Sequence, residues 1–238
     1  MKSLGWCFSG LILGAALAGS AGAANVPTGY SLLYEQDFSE RSALRDFVVS
    51  DPAAWDWSQE QKGGALELVR QSKYQPAVRS PFNISLIAAR TFEDFVLEAD
   101  LRQTGKEYGH RDMVIFFGFQ DPTHFYYVHL ASAADEHAHN IFIVNNAPRT
   151  KIARETTKGI QWGGNVWHKV RLERRGSDGT VRVYFDDMNH PIMTAEDKTF
   201  PKGHVGFGSF DDTGKIDNVK IWGAASQTNP AGFFRRLK

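Results

Sequence analysis

The feature that most constrains this chain is the run over residues 165–222, where short alternating stretches are divided by Gly/Asp turns. Trp167-His168-Lys169-Val170-Arg171-Leu172-Glu173, Val181-Arg182-Val183-Tyr184-Phe185, Val205-Gly206-Phe207-Gly208-Ser209-Phe210 and Ile216-Asp217-Asn218-Val219-Lys220-Ile221-Trp222 place apolar or β-branched residues at a period near two. That period gives a strand one buried face. The same pattern predicts further strands over 31–34, 65–69, 84–88, 95–102, 113–119, 125–130 and 140–145, beside those at 166–173, 181–185, 205–210 and 216–222. Lys62-Gly63-Gly64, Asp121-Pro122, Gly163-Gly164, Ser177-Asp178-Gly179 and Asp211-Asp212-Thr213-Gly214 supply turns between them. Many short strands at this spacing specify an all-β sandwich or barrel. Only 39–46 reads as helical, with Ser39 as its N-cap.

The N-terminus carries a different signal. Lys2 precedes an apolar run over 11–18 and the small-residue segment Gly19-Ser20-Ala21-Gly22-Ala23-Ala24. This is the pattern of a secretory signal peptide, residues 1–24, cleaved after Ala23 or one residue later. The apolar run is too short to span a bilayer. The expected location is therefore secreted or periplasmic, with no membrane insertion after cleavage. Cys7, the only cysteine, falls inside the signal, so the mature chain has neither disulfide nor thiol-ligated metal.

The remainder suits one domain over 25–223, large enough to bury its own core. Residues 224–238, with Pro230, Gly232 and a basic end, read as a flexible extension. Without the signal, 26 basic residues face 27 acidic ones, a formal charge of −1. That balance argues against a nucleic-acid surface. A monomer is expected.

Taken together, these segments resemble a concanavalin A-like, laminin-G-like jelly roll of two antiparallel sheets. Phe92-Glu93-Asp94-Phe95-Val96-Leu97-Glu98-Ala99-Asp100-Leu101-Arg102 is similar to the segment that leads into the main sheet of such domains. Phe116-Phe117-Gly118-Phe119-Gln120-Asp121 followed by Phe125-Tyr126-Tyr127-Val128-His129-Leu130 is similar to their central pair. Secreted bacterial domains of the 3-keto-disaccharide hydrolase type share the pattern. The resemblance implies an extracellular glycan as partner and leaves the reaction open. Laminarinase-type enzymes on this fold carry a Glu-x-Asp-x-(x)-Glu strand. Here Glu98 and Asp100 share a strand face, but Arg102 replaces the third acid, so the strand reads as a solvent-facing charged edge rather than a catalytic pair.

Polar residues concentrate between Gly109 and Arg149, which holds five of the eight histidines. A hairpin centred near Ala134 would set His129 opposite His139 with Tyr127 on the same face. Tyr127, His129, His139, Arg111 and Arg149 are thus the candidate catalytic set on a concave sheet face, acting through proton transfer and charge stabilisation. His110, Asp112, Asn145, Trp57 and Trp162 are candidate substrate contacts, the two tryptophans as sugar platforms on a rim. Trp167 and Trp222 sit in strong strand patterns and read as core. The bland alternative has His137 and His139 on an exposed hairpin tip, His129 as a satisfied strand residue, and Arg111 and Asp112 paired at a strand start.

Two metal expectations accompany this reading, and no organic cofactor is expected. Histidines with Asp112 can hold a catalytic divalent ion that polarises a carbonyl. The resemblance also implies a structural calcium joining the first and last strands, for which Glu35, Asp37 and Asp217 supply hard oxygen ligands. Three functional classes follow: a carbohydrate-active hydrolase or lyase, a non-catalytic lectin-like module, and an adhesion domain with a protein partner.

Overall fold

The computed structural model describes residues 26–238. The signal expected over 1–24 lies outside the described residues. The chain folds as a jelly-roll β-sandwich in which every strand pairing is antiparallel. One sheet of nine strands runs in the order Ala153–Thr156, Met193–Glu196, Thr180–Phe185, His168–Arg174, Phe95–Gln103, Gly214–Gly223, Gly64–Leu68 and Trp55–Gln59, with Ser31–Gln36 also paired to Gly214–Gly223. The facing sheet of eight runs Thr150–Lys151, Asn140–Asn145, His124–Ala131, Asp112–Asp121, His204–Ser209, Asn83–Ile87, Phe47–Val49 and Arg235–Arg236.

All eleven expected strands are present, and the additional ones are short or polar pieces at sheet edges. Ala153–Thr156 and Met193–Glu196 carry too little apolar residue to announce themselves, and Phe47–Val49 is only three residues long. The expected helix is a 3-10 helix over Arg41–Asp46, with Glu40 rather than Ser39 at the N-cap position and no side-chain cap.

Alternation decides which side of each strand enters the core. Leu97, Ala99 and Leu101, with Val170, Leu172, Ile216, Val219 and Ile221, project from the nine-stranded sheet onto Met113, Ile115, Phe117, Tyr126, Val128, Leu130, Val205 and Phe207 of the other. Each large side chain so buried contributes about 1.5–3 kcal/mol of hydrophobic stabilisation before chain entropy is counted. Gly118, at φ 55, lies in the register shift that bends Asp112–Asp121 against its neighbour. There a Cβ would meet the Tyr126 ring at 2.9 Å.

The outward sides of the two sheets differ. On the nine-stranded sheet the outward residues are charged: Arg171 Nε and Nη2 donate to Glu98 at 2.9 and 2.6 Å, and Lys169 donates to Asp100 at 3.3 Å. On the eight-stranded sheet Val114, Phe116, Phe119, Phe125, Tyr127, Phe142 and Val144 form a second buried apolar layer. Tyr74 and Val78 from the preceding loop, and Ala231, Phe233 and Phe234 from the C-terminal segment, pack against it.

The C-terminal segment is therefore laid on the body rather than extended from it. Ser226–Thr228 pairs with Arg90–Phe92, and Arg235–Arg236 pairs with Val48 and Val49. Leu237 is buried in the main core. The sequence hides this docking because an apolar pair flanked by glycine and arginines has no strand period of its own.

Candidate functional site

The titratable residues expected on a sugar-binding face do lie largely on one side of the eight-stranded sheet, but that side is closed. Tyr127 and Asp112 are fully buried and His129 is 3 % exposed. Arg149 donates to the Tyr127 hydroxyl at 3.1 Å and to the His137 carbonyl at 2.8 Å, while its guanidinium stacks on Phe210 and Phe142. Burial raises the Tyr127 phenol well above its usual range, against the opposing pull of Arg149. A face so covered cannot stack a sugar ring.

The hairpin register also differs from the expected one. His129 pairs with Asn140, not His139, and Tyr127 pairs with Phe142. A slip of one residue moves a side chain to the other face of a strand. His139, at φ 50, takes its own path: its Nδ1 accepts from the Ala131 amide at 3.3 Å and its Nε2 lies 2.9 Å from the Thr157 hydroxyl. Burial first, and then the His129 ring, push its pKa down to about 4, so it is neutral at physiological pH.

Arg111 leaves the cluster altogether. It is buried and spans toward the opposite sheet, donating from Nε to the Gln103 side chain at 2.5 Å and from Nη1 to the Gly163 carbonyl at 2.9 Å. Neighbouring residues of a strand point to opposite faces, so Arg111 and Asp112 could not both serve one surface. His110 sits outside, 2.5 Å from Asp135, and Asn145 is exposed opposite His124.

The tryptophans exchange the places expected of them. Trp162 is core: its Nε1 donates to the Arg111 carbonyl at 3.1 Å and its ring meets His168 and Phe185 edge-on. Trp57 packs over Gly64, where a Cβ would fall 2.3 Å from the indole, and donates to the Phe38 carbonyl at 2.8 Å. Trp167 is the one that reaches an opening, half-buried with the Arg102 guanidinium 4.5 Å above its ring. Its place in a strong strand pattern suggests a core position for Trp167, but strict alternation with Val170 and Leu172 inward puts residues 167, 169 and 171 on the outward face.

That opening is a cleft of about 770 Å³ on the outward side of the nine-stranded sheet, lined by Asp37, Ser39, Glu60 to Gly63, Arg102, Asn165, Trp167, Asp217 and Asn218. A bulge builds it. The pairing of Gly214–Gly223 with Phe95–Gln103 shifts between Asp217 and Lys220, with Asn218 at φ 51. Such a bulge re-aims side chains. The Asn218 amide group donates to Asp100 at 2.8 Å, and Asp217 accepts from the Asn218 backbone at 2.6 Å.

The carboxyl groups lining this cleft are tuned apart. Burial, followed by the charges of Asp100, Asp37 and Glu60, pushes Asp217 up to about 6 despite the Asn218 amide. The backbone and side chain of Ser39 hold Asp37 below its ordinary range. Burial opposes ionisation of Glu60, but hydrogen bonds from Lys215 at 2.8 Å and Arg102 at 2.6 Å hold it low. One cleft thus offers a carboxylic acid near neutrality and two carboxylates, a division that acid–base chemistry uses.

Of the residues expected to bind calcium, Asp37 and Asp217 line one cleft and Glu35 does not join them. Glu35 stands across from Lys220 and pairs with it at 2.9 Å, so its charge is already met. Among the described residues, the one group of three acids whose ligand atoms lie within 4.8 Å of one another is Asp112, Asp211 and Asp212. Burial and the Asp112 charge raise the pKa of both Asp211 and Asp212.

No protein-family model and no curated protein sequence matches the chain. Solved structures do resemble it. The carbohydrate-binding module CBM66 from Bacillus subtilis superposes with a TM-score of 0.52 at 19 % identity, over 75 % of this chain and 96 % of that one. Domain 4 of AbnA, an extracellular arabinanase of Geobacillus stearothermophilus seen with arabinotriose, gives 0.50 at 13 % identity over 81 % and 92 %. Peanut lectin gives 0.50 at 13 % over 84 % and 99 %. At these identities the similarity establishes the fold, a concanavalin A-like jelly roll.

Proposed function

We propose that this protein is an exported glycan-recognition domain that seats a sugar in the cleft lined by Trp167, Arg102, Asp37, Asp217 and Asn218. The observation that carries the reading is a half-buried indole beside acids and an amide in a large open cleft of the polar sheet. An indole offers an apolar face to the C–H side of a pyranose or furanose ring. Ionised carboxylates accept strong hydrogen bonds from sugar hydroxyls, and Asn218 offers both a donor and an acceptor. The names of the structural neighbours, a carbohydrate-binding module, an arabinanase domain with arabinotriose and a lectin, support a carbohydrate partner. Export rests on the sequence pattern of residues 1–24.

A second reading is glycan cleavage at the same place, favoured by the raised Asp217 beside the lowered Asp37 and Glu60. In it Asp217 protonates the leaving oxygen and a neighbouring carboxylate serves as base or nucleophile. Neutral, uronic and 3-keto glycans, screened with and without divalent ions, separate the cases. Binding without turnover, weakened at least tenfold in Trp167→Ala at unchanged circular dichroism, is the expected result. Turnover that disappears in Asp217→Asn while affinity persists establishes the second reading. Wild-type affinity in Trp167→Ala removes the cleft from both.

A further inference from the structure

We propose that His168 is a positioning residue for the sugar cleft: its ring, bonded at both nitrogens, fixes the loop that carries Trp167, and does so only while both nitrogens hold a proton. This deepens the reading of Trp167 as the sugar platform, on which it rests. His168 opens the strand His168–Arg174 and is buried. Its Nδ1 lies 2.8 Å from Asp186 Oδ2, and its Nε2 lies 2.8 Å from the Trp162 carbonyl oxygen.

A carboxylate and a carbonyl both accept hydrogen bonds, whereas a neutral imidazole offers one N–H and one lone pair. With a single proton, one of the two contacts sets a lone pair against an oxygen, in a buried place where water does not screen it. Only the imidazolium satisfies both. The ring is held between its partners by stacking on Phe185 at 4.6 Å and by an edge-on contact with Trp162 at 5.6 Å. Asp186 is fixed as well: its Oδ1 accepts from the Lys169 amide at 3.1 Å and its own amide donates to the Lys169 carbonyl at 2.9 Å. The other charged groups nearby are turned elsewhere. Arg111 Nη1 donates to the Gly163 carbonyl at 2.9 Å, the Arg102 guanidinium stands over Trp167, and the Lys169 ammonium reaches Asp100.

The link from this pair to the cleft is the loop Trp162-Gly163-Gly164-Asn165-Val166-Trp167, which passes through left-handed backbone at Gly163 and Asn165, both at φ 60. Asn165 and Trp167 line the cleft. The loop is tied at its start, where Trp162 meets His168 through its carbonyl and the Arg111 carbonyl through Nε1, and where Gly163 meets Arg111. Loss of the second His168 proton removes one of these ties and loosens the indole, while the pairing of His168–Arg174 with its neighbours persists.

The full-length chain is followed from about pH 5 to about pH 9, a span that brackets histidine titration. Ring-nitrogen NMR shifts report the protons on His168, and acrylamide quenching, taken as the difference from Trp167→Phe, reports the exposure of Trp167. The expected result is a proton on each His168 nitrogen at the acid end and one proton at the alkaline end. Trp167 quenching should rise roughly twofold or more across that change, as the loop opens locally. Asp186→Asn is the decisive variant, and its exposed position carries little risk to folding. Its amide can donate to Nδ1 of a neutral ring while its Oδ1 still accepts from Lys169, so quenching should stay at the acid-end level throughout. A singly protonated ring at the acid end overturns the proposal, as does wild-type quenching that ignores pH or a rise that persists in Asp186→Asn. Asp217 titrates in the same cleft, and the series repeated in Asp217→Asn should match the wild type. A rise abolished there assigns the effect to Asp217 and overturns the role of His168. No glycan enters these measurements, so failure of the glycan reading and failure of this one are separately visible.

Discussion

The two sheets bury their inward faces alike and treat their outward faces oppositely. The strands Asp112–Asp121 and His124–Ala131 are apolar on both sides, because loop residues Tyr74 and Val78 and the C-terminal Phe233 and Phe234 cover what would be the open face. The strands Phe95–Gln103 and His168–Arg174 alternate, and their outward residues are charged and ion-paired, Lys169 with Asp100 toward water and Arg171 with Glu98 largely shielded. The difference teaches that a polar residue in a doubly buried sheet belongs to an interior network, whereas one on the alternating sheet is available to a ligand. Strands buried on both faces read as near-continuous apolar runs, as Met113 to Phe117 does.

The sharpest way to break this comparison is to truncate outward residues of each sheet. Phe116→Ala removes a fully buried ring packed against Phe119, Phe125 and Tyr127 and should cost about 3–5 kcal/mol. Denaturant unfolding measures it. A cost below about 1 kcal/mol would mean that the outer layer is not packed as described.

The pH dependence of stability should separate the sheets by sign. His139, which precedes the strand Asn140–Asn145, has a native pKa of about 4 against the ordinary 6.5. Between these values the unfolded chain binds more protons, so stability falls as pH drops from about 6.5 to about 4, by up to about 3 kcal/mol. His204, also lowered by burial, acts in the same direction. Asp217 acts oppositely. Its native pKa of about 6 lies above the ordinary 3.8, so its contribution is present at low pH and is lost as pH rises through 6. His139→Gln should flatten the acid limb and Asp217→Asn should raise stability above pH 6, both read from melting curves between pH 4 and 8. Identical pH profiles in wild type and both variants would refute the contrast.

Leu237→Ala tests whether the C-terminal segment is part of the core, with an expected loss of about 2 kcal/mol by chemical denaturation. An unchanged midpoint would restore the reading of a free extension. The smallest effect belongs to Lys169→Ala on the polar sheet. Its side chain is 49 % exposed and its contact with Asp100 spans 3.3 Å, so the change should stay within about 0.5 kcal/mol.

The candidate site was less legible than the fold. The histidines between Gly109 and Arg149 mark a real cluster, but five polar side chains on neighbouring strands carry no sign of what will cover them. Trp162 and Trp167 lie five residues apart in similar surroundings. Whether either indole meets water depends on strand phase and on the loop at Gly163-Gly164, and the first is core while the second lines the cleft. The pairing of His129 with Asn140 rather than His139 likewise turns on the length of the loop between them, which periodicity does not set.

By itself, the sequence determined the all-β class, the eleven principal strands and the turns between them, because alternation and Gly/Asp punctuation act over a few residues. Tertiary structure alone decided which outward face is open. The covering segments, residues 70–82 and 224–238, lie far along the chain from the strands they bury, and their docking is a sum of contacts that no local pattern records. The Asp217 bulge and the meeting of Asp112 with Asp211 and Asp212 have the same origin: registers between distant strands bring together side chains that are about 100 residues apart.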